Sequence, residues 1–278
     1  MIQRLLPALF AAALTLAAAD IRVTSFNVRY PSKDDGANVW ENRKDILIEA
    51  IRRMDPDVMG TQELFKLQGD YIVEKLPDYA WIGVSRRGNT EDEYMGVFYK
   101  KNKWKVIDSG NFWLSETPTV AGSSNWNMSL PRMATWALME ATGGGGRFYF
   151  VNTHMAHRRE DEAARQKSAT VIQEWLGKLD AFIPVILTGD FNSPAEGGTY
   201  QKMISGFSDA WKIALHRSGP EGTFHGFRGK PGNARIDWIF LRGSWLVKEA
   251  ESVTWNDGGR YPSDHFPVSA VVELERVR

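Results

Sequence analysis

The sequence contains no cysteine in its 278 residues. A chain without cysteine forms no disulfide bond and holds no metal through thiolate ligands. It also has no excess charge of either sign, because 34 lysine and arginine residues balance 34 aspartate and glutamate residues. Balanced charge argues against a strong electrostatic field for long nucleic acids, although a local basic cleft stays compatible with it.

No apolar run after residue 19 is long enough to span a membrane, so the mature chain is not expected to insert stably into one. Residues 1–19 differ, because Arg4 precedes an apolar run that ends in three alanines before Asp20. This pattern predicts a signal peptide at residues 1–19 and an exported protein, periplasmic or extracellular. A membrane anchor, for which the run is short, and a buried N-terminal helix are the alternatives.

Linkers, internal repeats and long low-complexity tracts are missing from residues 20–278, which indicates one domain. Apolar strand-like runs alternate with amphipathic segments, one of which spaces Ile46, Leu47, Ala50 and Ile51 as on a helix. Four glycines at 143–146 separate TWALMEAT from RFYFVNTH and predict a hairpin turn. The pattern predicts an α/β fold in which two mixed sheets pack together and helices cover the outside.

Several predicted strands end on, or lie beside, polar residues that burial alone would not select. These residues are Asn27, Glu63, His154, Asp190, Asn192, Asp237, Asp264 and His265. Each by itself has an ordinary explanation as a turn, a helix cap or a surface pair. In the stretch VILTGDFNSP, residues 190 and 192 are two apart, so an extended chain would point both side chains to one side and Phe191 to the core.

Taken together, these side chains fit a divalent metal site that acts on a phosphate. A hard ion such as Mg²⁺ prefers oxygen ligands and keeps positions open for water and substrate. The imidazoles suit proton transfer or charge stabilisation. Zinc is the alternative metal, but it requires a close set of three or four ligands, and the sequence lacks HExxH.

The ordered motifs SFNV, GTQE, NTH, GDFN, RIDWIF and SDHFPV resemble the endonuclease/exonuclease/phosphatase superfamily, which is DNase I-like. The segments PDVMGTQE, GNFWLSETP and PRMATWA are similar to bacterial members near the deadenylase and nocturnin-like branch. The resemblance covers residues 21–273 and assigns residues 20–278 to one such domain. It implies a four-layer α/β sandwich and Mg²⁺- or Mn²⁺-dependent hydrolysis of a phosphoester by in-line attack of water.

The resemblance also implies a metal subsite. Glu63 of GTQE corresponds to the principal metal ligand, and Asn27 of SFNV supports both the metal and the phosphate. Asp264 of SDH lies by the metal, or at a second metal position. Whether one or two ions bind stays open.

Five further residues receive catalytic roles from the resemblance. Asp190 activates or orients the attacking water, and Asn192 orients the phosphate and Asp190. His154 contacts a phosphate oxygen, and His265, which Asp237 orients, contacts the phosphate or acts as a base. An Asp–His pair fixes the tautomer of the imidazole and favours its charged form.

Arg132 is a further candidate phosphate ligand, because Pro131 and an apolar strand hold it and arginine binds phosphate bidentately. A surface arginine is the alternative. The basic pair Arg86-Arg87 is expected to lie on a face of the protein that is exposed to solvent.

The partner is a phosphoester of unidentified class, and the chain is expected to be a monomer. Nucleic acids, nucleotides, sugar phosphates, inositol phosphates and phospholipids stay open as substrates. A nuclease and a sphingomyelinase-like phosphodiesterase are the alternative enzymes. A binding protein without activity is disfavoured, since every matched motif position keeps a chemically competent residue.

Overall fold

The computed structural model describes residues 20–144 and 146–274. The predicted signal peptide at residues 1–19 lies outside the described residues. The strands are β1 (Ile21–Asn27), β2 (Val58–Gln62), β3 (Tyr79–Ile82), β4 (Val97–Lys100), β5 (Trp104–Trp113), β6 (Met133–Ala141), β7 (Arg147–His154), β8 (Val185–Asp190), β9 (Ser208–Asp209), β10 (His216–Ser218), β11 (Asp237–Arg242), β12 (Trp245–Ser252) and β13 (Val268–Leu274). The helices are α1 (Trp40–Met54), α2 (Lys66–Lys75), α3 (Glu162–Leu176), α4 (Gly198–Ile204) and α5 (Ala210–Ile213), with 3₁₀ turns at Gly36–Asn38 and Arg159–Asp161.

The strands form two mixed sheets. One sheet has seven strands in the order β10-β12-β13-β1-β2-β4-β3, and the other has six in the order β5-β6-β7-β8-β11-β9. The pair β1–β2 is parallel, and so is the pair β7–β8. The expected hairpin is confirmed, because β6 and β7 pair antiparallel from Ala134 opposite Thr153 to Glu140 opposite Arg147.

The two sheets pack face to face over a central apolar core. Val23 and Val58 of the first sheet belong to one buried cluster with Phe150, Ile186 and Ile239 of the second. Burying such a side chain stabilises the fold by about 1.5–3 kcal/mol relative to leaving it in water. Both faces of β8 are covered, and a strand in such a position has a continuous run of hydrophobic residues, as β8 does.

Helices cover the outer faces of both sheets. Leu47 and Ile51 of α1 pack with Met59 and Phe98 of the seven-stranded sheet, in a cluster that also includes Ile72 of α2. On the other side, α3 and α4 pack against the six-stranded sheet through the buried residues Ile172, Met203, Leu187 and Phe240. The predicted four-layer α/β sandwich is therefore confirmed. No helix within the two described ranges is long and apolar enough to cross a membrane.

The topology brings the polar ends of several strands to one edge of the sandwich. Because β7 and β8 are parallel, His154 pairs with Asp190 where both strands end. The antiparallel strand β11 begins at Asp237, directly opposite Asp190. In the other sheet, β1 and β2 end side by side at Asn27 and Gln62, with Glu63 next along the chain.

Candidate active site

A cavity of about 580 Å³ opens at this edge. It is lined by seven of the nine residues singled out from the sequence: Glu63, Arg132, His154, Asp190, Asn192, Asp264 and His265. The other two lie directly behind it, where Asn27 contacts Asp190 and Asp237 contacts His265. The structure therefore brings all nine residues into one site.

Asp190 lies at the centre of the site and is almost fully buried. Its Oδ2 accepts a hydrogen bond from Asn27 Nδ2 at 3.1 Å, and its Oδ1 accepts one from the backbone N–H of Asn192 at 2.9 Å. Two imidazole nitrogens face the same Oδ2, His154 Nε2 at 3.6 Å and His265 Nε2 at 3.9 Å. Burial, reinforced by the charge of Asp237, raises the pKa of Asp190 to about 7. A carboxylate with that pKa can take a proton near neutral pH.

The two histidines beside Asp190 differ in charge. Burial opposes a charge on His265, but the Asp237 carboxylate, whose Oδ2 lies 2.9 Å from His265 Nδ1, and the nearby Asp190 raise the pKa of His265 to about 10. Burial and the cations Arg132 and Arg86 hold the pKa of His154 well below its usual value. The site thus presents one imidazolium and one neutral imidazole around a single carboxylate.

Asn192 determines which nitrogen of His154 carries the proton. Its Nδ2 donates to the carbonyl of Met155 at 3.2 Å, which identifies this atom as the amide nitrogen. The same Nδ2 lies 3.1 Å from His154 Nε2, which must therefore accept. The proton of the neutral ring is then on Nδ1, 3.8 Å from Glu93 Oε2.

Asn27 holds two carboxylates in place. Its Nδ2 donates to Glu63 Oε1 at 3.2 Å as well as to Asp190, while its Oδ1 accepts from the backbone N–H of Arg29 at 3.0 Å. The backbone N–H of Tyr30 donates to Glu63 Oε2 at 3.2 Å. In this structure the carboxamide of Asn27 therefore aligns Glu63 with the reaction centre, and its oxygen is occupied by the backbone.

Two groups of side chains can hold a divalent metal ion. Asp190, Asp237 and His265 offer ligand atoms within 4.8 Å of one another. However, His265 already contacts Asp237 and carries a charge of its own. Glu63 and Asp264 form the alternative, and both face the guanidinium of Arg29, at 3.8 and 3.9 Å.

The carboxylate pair is the metal site that agrees with the motifs. Burial raises the pKa of Asp264, and the nearby negative charge of Glu63 raises it further. The positive charges of His265 and Arg29 lower this pKa without cancelling the shift, and oxygen donors of this kind suit Mg²⁺ or Mn²⁺. The donor set therefore fits a divalent ion at the position implied by the motifs.

Three site residues other than glycine have left-handed backbone conformations: Arg29 (φ 55°), Glu63 (φ 56°) and Asn192 (φ 49°). Such conformations are uncommon and concentrate at functional sites, where the surrounding structure holds them. For Asn192 this corrects the reasoning from the sequence. Asp190 and Asn192 do face the same cavity and Phe191 is buried in the core, but the chain between them is not extended, because β8 ends at Asp190.

Arg86 was predicted to lie on a solvated face, and this prediction is wrong. Arg86 is 6% exposed and forms ion pairs with Asp92 at 2.9 Å and Glu93 at 2.8 Å. Arg87, its neighbour, does have a largely exposed side chain. The signal for a buried pair was present in SRRGNTEDEY, where two basic residues are followed by acidic residues across a short loop.

Arg132 is a residue of the cavity wall and is 2% exposed, so the surface alternative is wrong. Its Nη2 donates to His157 Nδ1 at 3.0 Å. Its Nη1 is buried and has no hydrogen-bond partner in the part of the chain that the structure describes. A buried guanidinium with a spare N–H suits an anionic ligand.

The chain is similar to several known proteins. A model of the endonuclease/exonuclease/phosphatase family matches residues 24–265. A solved protein of that family from Bacteroides thetaiotaomicron shares 33% identity, has a TM-score of 0.88, and covers 93% of this chain and 99% of its own. A second structure from the same species, a mannosyl-6-phosphatase, shares 34% identity with a TM-score of 0.85, over 91% of this chain and 100% of its own.

Mouse nocturnin is a more distant relative. It is 23% identical over an alignment of 287 positions, and the alignment covers 89% of this chain but only 63% of nocturnin. The match supports the expected place of the sequence near the deadenylase and nocturnin-like branch.

Proposed function

The chain belongs to the endonuclease/exonuclease/phosphatase family, whose members hydrolyse phosphoesters, and we propose that it hydrolyses small phosphomonoesters with Mg²⁺ or Mn²⁺. One observation carries the proposal: the Asp190 carboxylate lies between a neutral and a cationic imidazole in the wall of the cavity. Such an arrangement supplies a proton acceptor and a positive charge to the same reacting group.

Asp190 is the proposed acceptor for the proton of the attacking water. Asn27 and the backbone of Asn192 fix both carboxylate oxygens, so the base is aligned before substrate binds. Its raised pKa matches transfer near neutral pH.

His265 and Arg132 are proposed to stabilise negative charge on the phosphate oxygens. Asp237 keeps His265 protonated, and Arg132 presents Nη1, which has no partner among the residues that the structure describes, within the cavity wall. Their charge is buried and preorganised, which makes it more effective on a developing oxyanion than it would be in water.

Glu63 and Asp264 are the residues proposed to hold the metal ion. When bound, a divalent ion supplies Lewis acidity that polarises the phosphate and stabilises the leaving oxygen. Zinc is less suited to this pair, since both ligands are carboxylates.

A small phosphomonoester is favoured over a long polymer for two reasons. The cavity volume is in the range of small-molecule sites, and the whole-chain charge is zero. The likeness to a protein named as a mannosyl-6-phosphatase supports the same choice. A nuclease or a phosphodiesterase acting on phospholipids is the second candidate, and it would appear in the same assay. The apolar N-terminus further leads us to propose export, which N-terminal sequencing of the secreted protein would test through a start at Asp20.

The test is a panel assay with Mg²⁺ that sets sugar phosphates, mononucleotides, inositol phosphates, phospholipids and nucleic acids side by side. We expect turnover of small phosphomonoesters, loss in EDTA, recovery with Mg²⁺ or Mn²⁺, and a fall in kcat of about 10³-fold or more in Asp190→Ala. The matched control is Asp108→Ala, because Asp108 is exposed on β5. Ordinary turnover by the Asp190→Ala protein would refute the proposal.

A further inference from the structure

Glu93 is a buried carboxylate of the cavity wall to which neither the motifs nor the proposed reaction gives a role. Its side chain is 10% exposed, and the residue lies in the loop before β4. Only Oε2 is engaged, by Arg86 Nη1 at 2.8 Å, while Oε1 accepts no hydrogen bond from the residues that the structure describes. One carboxylate oxygen is therefore free for a ligand.

Two arginines and two carboxylates meet beside the cavity, and they leave one oxygen of Glu93 without a partner among the described residues. Arg86 pairs with Glu93 and, through Nη2, with Asp92 Oδ1 at 2.9 Å, while Arg87 Nε pairs with Asp92 Oδ2 at 2.6 Å. No described residue donates a hydrogen bond to Glu93 Oε1, so this oxygen can accept one from a ligand. Because Glu93 lines the cavity, that ligand can be one bound in the cavity.

The wall beside Glu93 also offers hydrogen-bond donors. Arg132 Nη1, which has no partner among the described residues, carries two N–H groups, so one can donate to the phosphate and the other to a hydroxyl of the alcohol. Since His157 Nδ1 accepts from Arg132, the proton of the neutral His157 ring is on Nε2. The wall thus combines one acceptor, Glu93 Oε1, with two kinds of donor.

This mixture of groups selects between classes of ligand. A site for a second phosphate would present donors alone, and a carboxylate there would repel the anion. A hydroxyl group both donates and accepts, so neighbouring hydroxyls of a sugar satisfy a carboxylate and a guanidinium together. The donors and the acceptor match a polyhydroxylated alcohol.

We infer that Glu93, with Arg132 and His157, forms a subsite for the hydroxyl groups of the leaving alcohol, so that the preferred substrate is a sugar monophosphate. This inference rests on the proposed phosphomonoesterase function and specifies its substrate class. Glu93 acts as a specificity-determining residue, because it binds the leaving group and takes no part in proton transfer. It also disfavours a second phosphate on the same sugar.

The experiment compares three substrates in the wild-type protein and in Glu93→Gln, with Mg²⁺ present. The substrates are a hexose 6-phosphate, a hexose 1,6-bisphosphate, and p-nitrophenyl phosphate, which has no sugar hydroxyls. We expect kcat/KM for the hexose 6-phosphate to fall about tenfold in the variant, mainly through KM. The loss should be several times smaller for p-nitrophenyl phosphate, and selectivity against the bisphosphate should decrease.

The matched control is Glu91→Gln, because Glu91 lies in the same loop but is exposed and outside the cavity. Equal losses on all three substrates, or no loss, would overturn the hydroxyl subsite while leaving the phosphomonoesterase in place. If the wild-type protein hydrolyses no phosphomonoester, the proposed function itself fails. Should Glu93→Gln fold poorly, the wild-type protein provides the second measurement. It should prefer the hexose 6-phosphate to cyclohexylmethyl phosphate by about tenfold or more, and equal rates would overturn the inference.

Discussion

The groups around the carboxylate of Asp190 have opposite effects on its pKa. His265 and the hydrogen bonds from Asn27 and Asn192 favour its charged form, whereas burial and Asp237 disfavour it. Burial has the largest effect, so the folded chain binds this proton more tightly than the unfolded chain does. Aligning such a base costs stability, which is a common property of active sites.

This balance makes the stability of the metal-free protein depend on pH. The raised pKa of Asp190, about 7 against an ordinary 3.8, contributes stability that is fully present below pH 3.8 and is lost as the pH rises through about 7. Replacing Asp190 by Asn removes the buried charge. In EDTA, Asp190→Asn should therefore be more stable relative to wild type at pH 8 than at pH 5. Each unit of pKa difference corresponds to about 1.4 kcal/mol.

Thermal unfolding of both proteins at the two pH values measures this difference. Asp108→Asn serves as the control, because Asp108 is exposed and its replacement should change stability equally at both. An Asp190→Asn effect that does not vary between pH 5 and pH 8 would contradict the assignment of a buried, charge-disfavoured carboxylate.

At the scale of elements, a buried polar layer joins the two sheets behind the cavity. Gln62 of β2 donates through Nε2 to Asn152 Oδ1 of β7 at 2.6 Å, and Thr188 Oγ1 of β8 donates to the same oxygen at 3.1 Å. Asn152 Nδ2 in turn donates to the carbonyl of Thr61 at 2.7 Å. Because the bonds of Asn152 to Gln62 and Thr61 cross from one sheet to the other, they fix how the strand ends that carry the site residues meet.

Gly60 of β2 lies against this layer and leaves no room for a side chain. A Cβ at Gly60 would lie 2.1 Å from Thr188 Oγ1 and 2.6 Å from Asn152 Oδ1, so both hydrogen-bonded groups would have to move. We expect Gly60→Ala to destabilise the protein by about 1–3 kcal/mol, the usual effect of overpacking a core. Activity should fall as well, since the sheets set the active-site geometry.

Denaturant unfolding measures the effect of Gly60→Ala. Gly143→Ala is the matched control, because a Cβ at Gly143 meets no atom within 4 Å. Equal stability of the two variants would show that the sheets adjust easily and that the polar layer does not fix their spacing.

Most elements could be predicted from their patterns, and the exceptions have physical causes. The run that became α3 is long and amphipathic, and those that became β1 and β8 are short apolar runs that end on polar residues, so each has a clear local signal. The strands β3, β9, β10 and β12 were not predicted. The first three have only two to four residues each. The register of β12 shifts between Val247 and Glu249, and such an irregularity breaks the two-residue alternation that marks a strand.

At the scale of the whole molecule, metal binding should couple to stability. An ion that binds only the folded chain stabilises it in proportion to the logarithm of its concentration. We expect millimolar Mg²⁺ to raise the melting temperature of the EDTA-treated protein, and more at pH 8 than at pH 5. At the lower pH, protons compete for Asp264, whose pKa burial raises.

Calorimetric or fluorescence melting with and without Mg²⁺ tests this coupling. Glu63→Gln should lose most of the Mg²⁺-dependent increase, whereas the exposed Glu91→Gln should keep it. NaCl at matched ionic strength controls for screening. An equal rise in Glu63→Gln and wild type would place the ion elsewhere, with the Asp190, Asp237 and His265 group as the next candidate.

The sequence by itself determined the family and the α/β layers, and it supplied the candidate site residues, because all three depend on local patterns. A motif such as GDFN lies at the end of one strand, and its polar residues can be recognised from the sequence whatever the position of that strand in the sheet. Only the tertiary structure decided what surrounds those residues. It made His154 neutral and His265 charged, buried Arg86 and Arg132, and brought Glu93 into the cavity wall. Burial and charge depend on neighbours that are distant in sequence, so no local pattern specifies them.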